Sequence, residues 1–220
     1  MERTIKVKGT GRISVKPDTI KIFITASKVC KEYDQTVSRS AEDTGIIREA
    51  IERAGLEPKQ LKTVKFDIDS EYVGYRDKND DYQRRFEGYR YTHNMYIQFP
   101  NDNAQLGKIL YELACCDVNV EFSIRHTVRD IDEAKNKLLE KAVDDSISKA
   151  NVLAAAAGVS LGEIKSIDYS WAELEIYSEP MVGFMMAETS SLTSSDSFDI
   201  DIEADDIDVR DTVTIEWEIR

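Results

Sequence analysis

Two histidines, His93 and His126, three cysteines, Cys30, Cys115 and Cys116, and an acidic series near the C-terminus are the residues whose chemistry could go beyond packing. A histidine acts as a base or a zinc ligand only when partners stand within hydrogen-bond or coordination reach. His93 alternates with Tyr91 and Met95 on one apolar face and reads as a core or interface histidine. His126 precedes Asp130 by four residues, a spacing that joins them only on a helix, whereas 123–125 reads as strand. Adjacent helical residues point about 100° apart, so Cys115 and Cys116 cannot both face one metal. They read as one buried thiol and one near a helix end. No catalytic, cofactor-binding or metal-ligating residue is assigned.

Asp199, Asp201, Glu203, Asp205, Asp206 and Asp208 could gather oxygen ligands for calcium. The glycine and spaced terminal glutamate of a helix-loop-helix calcium site are missing. Alternation with Ile200 and Ile202 favours an extended edge with solvated carboxylates. Tyr72, Tyr75, Tyr82, Phe86 and Tyr89 with Arg76, Arg84 and Arg85 could stack on single-stranded nucleic acid. Asp77, Asp80, Asp81 and Glu87 neutralise that patch, which reads as a solvent-facing hairpin or a subunit contact. Met181, Val182, Phe184, Met185 and Met186 could adapt to another protein surface or pack back on their own sheet. Gly9-x-Gly11 lacks the third glycine of a dinucleotide fingerprint, and no phosphate-loop motif occurs.

The elements that must position these residues follow from periodicity. Alternation at Ile5 and Val7, Ile13 and Val15, and Ile20, Ile22 and Ile24 predicts strands, with Gly9 and Gly11 marking a bulge or bend. Asp34 is the expected cap of a helix over 34–54, with a stripe of Val37, Ala41, Ile47, Ile51 and Ala54 ended by Gly55. Strands follow at Val64 to Ile68 and Tyr89 to Phe99, separated by a charged loop over 74–87. Asp102 and Gln105 resemble a capping box before Leu106, Ile109, Leu110 and Leu113. Val118 to Arg125 alternates cleanly. The longest helix carries Leu139, Val143, Ile147, Ala150, Ala154 and Ala157, ends at Gly158, and has small residues suited to close packing. Strands at Ile167 to Trp171 and Val213 to Ile219 flank a serine-rich, acidic loop over 173–208. The expected class is α+β, with largely antiparallel sheets, helices on one face, and chain order ββαββαβαββ.

The 220 residues suffice for a sizeable core without staples, and a net charge of −13 argues against nucleic acid and anionic lipid as partners. No apolar run of about 18 residues is present, so membrane insertion is not expected. An odd cysteine count without CxxC spacing and the lack of a signal-peptide pattern point to the cytoplasm.

Val7-x-Gly9-x-Gly11-x-x-x-Val15-x-Pro17-Asp18 with alternating Ile20, Ile22 and Ile24 resembles the opening motif of the SIMPL-domain family. That family includes the signalling molecule that associates with pelle-like kinase and bacterial periplasmic immunogenic and stress-related proteins. Gly88-Tyr89 with Asn94, and Leu106-Gly107 with Ile109, are similar to its second hairpin entry and middle helix. Ala134, Ala142, Asp145, Ala150, Leu153, Ala154, Ala157 and Gly158 resemble its Ala-rich helix, and Ile202 to Val209 before Val213, Ile215 and Trp217 its closing strand. Ala204-Asp205-Asp206 departs from the usual proline-glycine stretch. The resemblance implies an α+β fold, homo-oligomers that can be large and ring-like or channel-like, and no established enzymatic activity.

The expectation is one SIMPL-like domain over 1–220, with sublayers 1–100 and 101–220. It is read as a non-catalytic protein that assembles with itself and with other proteins, as a stress-related scaffold, without a cofactor. The alternative is a calcium- or small-ligand-binding module built on the acidic loop 199–208.

Overall fold

A computed structural model of the protein describes residues 3–76, 78–169, 176–178 and 204–220. Along the chain run β1 (Thr4–Val15), β2 (Thr19–Cys30), α1 (Tyr33–Arg53), a 3-10 turn (Pro58–Gln60), β3 (Lys62–Arg76) and β4 (Tyr82–Pro100). They are followed by α2 (Asn103–Cys115), β5 (Val120–Thr127), α3 (Ile131–Ala156), β6 (Leu161–Tyr169), β7 (Tyr177–Ser178) and β8 (Ile207–Ile219). The α+β class and the strand-helix order agree with the sequence reading. Unit one comprises the described parts of Met1–Asp18, Thr127–Ser178 and Ala204–Arg220, and unit two is Thr19–His126.

In unit one, β1 and β6 flank β8 in an antiparallel sheet. The β1–β8 ladder runs from Thr4↔Glu218 to Val15↔Ile207 without a register shift, so Gly9 and Gly11 do not mark a bulge. They face α3 instead. A Cβ on Gly9 would overlap the Ala142 carbonyl oxygen and stand 2.6 Å from Ser146 Cβ, and one on Gly11 would overlap the Leu138 carbonyl. The helix therefore buries a small-residue stripe, Ala134, Leu138, Ala142, Ser146, Ala150 and Ala154. This stripe is offset from the expected one: Leu139 and Val143 are half-buried and Ile147 is exposed.

The same helix seals the outer edge of β1. Ser146 Oγ donates to the Val7 carbonyl (3.1 Å), Lys149 Nζ to that of Lys8 (3.4 Å) and Lys141 Nζ to that of Arg12 (3.3 Å), while Asp145 accepts from the Thr10 N–H (2.7 Å). Backbone groups that would otherwise template strand addition are satisfied within the fold.

In unit two the strand order is β3-β4-β2-β5. Ile20, Ile22 and Ile24 of β2 pack with Met95 and Ile97 of β4, Ile47 and Ile51 of α1, and Leu106, Ile109 and Leu110 of α2. Each such burial contributes about 1.5–3 kcal/mol. Helix α1 is capped at Glu32 without a side-chain cap bond, and Asp34, the expected cap, lies in its first turn. Gly55 (φ 90°) and Gly158 (φ 67°) take the left-handed conformation expected at the ends of α1 and α3. Asp102 caps α2 by accepting from the Ala104 and Gln105 N–H groups, but the Gln105 side chain bonds the Ala54 carbonyl (2.8 Å), so the box is half formed. The expected charged loop over 74–87 is mostly strand, with β3 and β4 continuing to Arg76 and Tyr82 around a short turn.

Candidate functional site

The N-terminal half of α1 turns hydroxyls and a carboxylate toward the sheet. Thr36, Ser40, Asp43 and Thr44 are buried, continuing into Ile47 and Ile51, whereas Val37, part of the expected stripe, is exposed. Opposite them stand Tyr91 and His93 of β4. The Tyr91 hydroxyl donates to Asp43 Oδ2, and Arg39, one turn earlier, holds Asp43 Oδ1 at 2.9 Å. Burial, then the bond to Asp43, pushes the Tyr91 phenol well above its ordinary range. It stays a neutral donor at physiological pH.

His93 uses both ring nitrogens. The Thr44 hydroxyl donates to the Ser40 carbonyl (2.7 Å), so at its 3.0 Å contact with His93 Nδ1 it must accept. The imidazole therefore carries its proton on Nδ1, and Nε2 accepts from the Thr63 hydroxyl (2.8 Å) of β3. Phe66 meets the ring edge-on, with centroids 5.3 Å apart. Burial, and secondarily the Arg48 charge, lower the His93 pKa. The chain from Thr63 through His93 and Thr44 to Ser40 fastens α1 to the β3–β4 hairpin. It also holds the imidazole as a weak base.

Thr63 and Phe66 lie on β3, an edge strand of the unit-two sheet. Val64, Phe66, Tyr72, Val73 and Tyr75 are exposed along it, as are Tyr82 and Phe86 on β4. The arm is braced by its own side chains. Tyr33, Tyr89, Phe86 and Tyr72 make successive edge-on ring contacts of 5.3–5.6 Å. Arg84 covers Tyr72, Arg76 pairs with Asp80 (2.8 Å), and Arg90 grips Glu71 through two bonds of 2.9 and 3.0 Å. These guanidiniums are engaged within the hairpin.

His126 sits on β5, fully buried, with no hydrogen-bond partner for either ring nitrogen among the described residues, and Asp130 caps α3, so the two share no helix face. Cys115 is exposed. Cys116 is half-buried, donates to the Leu113 carbonyl (3.0 Å), and has its thiol pKa raised chiefly by burial. A groove of about 600 Å³ between the end of β1 and the start of α3 contains the Lys137–Glu133 pair and Lys141. Met181, Val182, Phe184, Met185, Met186, Asp199, Asp201 and Glu203 lie outside the described residues, as does Trp171. Among the described residues, no group of three or more His, Cys, Asp or Glu could hold a metal, and no helix is long and apolar enough to cross a membrane.

Sequence reasoning found His93 but not Asp43, Thr44 or Thr63. Their signal was a polar stripe at 36, 40, 43 and 44 in phase with Ile47 and Ile51.

The chain is similar to two proteins described as "26 kDa periplasmic immunogenic protein", from Brucella abortus (strain S19) and Brucella melitensis biotype 1. Each is 28% identical over 163 residues, 74% of this chain. The match spans 65% of the relatives' own length, less than two thirds. The family model for SIMPL, described as a protein of unknown function (DUF541), matches residues 5–217, and the chain belongs to that family.

Proposed function

We propose that the protein is a non-catalytic interaction subunit that pairs with a second copy of itself along the outer edge of β3. The observation that carries this reading is the charge order on that strand, which ends the sheet among the described residues. Lys62 and Lys65 occupy its first half, and Asp67, Asp69 and Glu71 its second. A two-fold antiparallel pairing sets each basic half against the partner's acidic half, whereas a parallel pairing sets like against like. With Phe66 opposite Phe66 of the second copy, Lys65 faces Asp67 twice. The bulge between Thr63 and Lys65 interrupts the edge beside this segment and limits sliding of the register. The Thr63–His93 bond anchors the same strand to α1, so the edge is presented by a stiff element.

In this reading the chain acts as one SIMPL-like domain, a stress-related scaffold that can also receive other proteins. The three free thiols, one of them exposed, support a reducing compartment such as the cytoplasm. The Brucella relatives, by contrast, are described as periplasmic. Charge exchange tests the pairing: Lys65→Asp alone lowers the assembly mass, and Lys65→Asp with Asp67→Lys restores it. An assembly indifferent to both overturns the β3 edge as the contact.

A further inference from the structure

The seal that α3 places on the outer edge of β1 stops at Arg12. Gly9 and Gly11 let the helix backbone approach, whereas Ile13 and Val15, next on the same face of the strand, carry half-buried side chains that pack with Val128, Ala134 and Leu138. Here strand and helix enclose the groove of about 600 Å³, which lies wholly within unit one.

The ladder determines what the strand offers there. In an antiparallel pair, residues alternate between exchanging backbone bonds with the partner strand and pointing those groups the other way. The Thr10 N–H donates to Asp145 and the Arg12 carbonyl accepts from Lys141, so these positions point away from β8. The unshifted register extends the same parity to Ser14, whose N–H and C=O therefore face the groove. Ser14 is exposed, and no α3 side chain bonds its backbone among the described residues. A donor and an acceptor of a strand edge thus remain beside an apolar floor.

The charges around the groove select its occupant. Lys137 pairs with Glu133, Lys141 is bonded to the Arg12 carbonyl, Asp130 caps α3, and Asp18 accepts from the Arg129 N–H. Glu140 and Asp144, one turn apart and exposed on the helix wall, carry no ion pair among the described residues. We propose that the groove receives an extended segment of another protein, added as a strand beside Ser14. An apolar side chain of that segment lies over Ile13, Val15 and Ala134, and a Lys or Arg faces Glu140 and Asp144. Residues two apart on a strand share one face, so a single residue separates this anchor from this base. Lys16, at the strand end, disfavours a second base there. None of this depends on self-pairing through β3, which belongs to unit two.

The probe is the capped peptide acetyl-Ser-Thr-Val-Ser-Lys-Thr-Ser-amide, titrated into the full chain and followed by amide and methyl NMR. The expected result is a saturable shift at the Ser14 amide and the Ala134 methyl, with hydrogen exchange at the Ser14 amide slowed by about tenfold or more. A probe with Glu in place of Lys should bind about tenfold more weakly, and Glu140→Lys with Asp144→Lys should reverse that preference. Saturation at Ala134 with unchanged exchange at Ser14 would mean that a side chain enters without strand pairing, and would overturn the proposal. So would equal affinity for the two probes, or shifts that never saturate. Concentration-dependent protection of Ser14 without any probe would assign the groove to a second copy of the chain and overturn it as well. The measurements on the unaltered chain need no variant to fold.

Discussion

Gly9 of β1 lies directly beneath the Ala142 carbonyl of α3, so close that a Cβ at position 9 would overlap that oxygen. The obstacle is helix backbone, which cannot rotate away as a side chain could. Gly9→Ala should therefore force β1 and α3 apart and destabilise the protein by about 1–3 kcal/mol or more. Gly45→Ala supplies the contrast. Position 45 is inside α1 with nothing within 4 Å of a built Cβ, so the substitution should stabilise by about 0.5–1 kcal/mol. Urea unfolding of both variants checks the pair, and a neutral Gly9→Ala would contradict the close packing.

Tyr91→Phe removes the hydroxyl that donates to the buried Asp43 carboxylate and leaves the Arg39 ion pair as its remaining partner. A loss of about 1–3 kcal/mol is expected. The raised Tyr91 pKa gives a second readout: its stabilising effect is present below about pH 10 and lost as pH rises further. Phenolate absorbance should show this tyrosine ionising after the other tyrosines, or only on unfolding. Early ionisation of all tyrosines would contradict the Tyr91–Asp43 bond.

His126 and His93 both have folded-state pKa values below their ordinary value of 6.5, chiefly through burial. Between the folded and unfolded pKa values, the unfolded chain binds more protons. Stability is therefore complete above about pH 6.5 and falls as pH drops below it. His126→Leu removes two unpaired ring nitrogens, so it should flatten this acid limb and leave stability at neutral pH unchanged or higher. Unfolding free energies measured across the limb decide the matter; an unaltered slope would show that His126 does not contribute to it.

Thr63→Val removes the only hydroxyl that reaches His93 Nε2 among the described residues. The expected cost is about 0.5–1.5 kcal/mol, with a rise in the His93 pKa as the proton-accepting nitrogen becomes open to water. Imidazole NMR titration should report that rise, and an unchanged midpoint would remove Thr63 from the relay.

Local signals made much of the fold legible. Gly55 closes α1 at Arg53 where the sequence places its end, and the Val118 to Arg125 alternation becomes β5. Longer-range facts left weaker marks. The partner of β1 is β8, some two hundred residues away. Gly9 and Gly11 therefore look locally like a bend, although their cause is the approach of α3. The arm at 74–87 looks like a loop because its strands have no buried face to impose alternation. Thr36, Ser40, Asp43 and Thr44 look like the solvent side of α1 because polar residues are read as outward-facing until their partners on β4 are known.

The most direct measurement is the solution mass by light scattering behind size exclusion of the unaltered chain, Lys65→Asp, and Lys65→Asp/Asp67→Lys. Pairing along β3 predicts a discrete multiple of the 25.0 kDa subunit, a lower mass for the single variant, and recovery in the double variant. A monomer at every concentration, or an assembly whose mass ignores both exchanges, would contradict it.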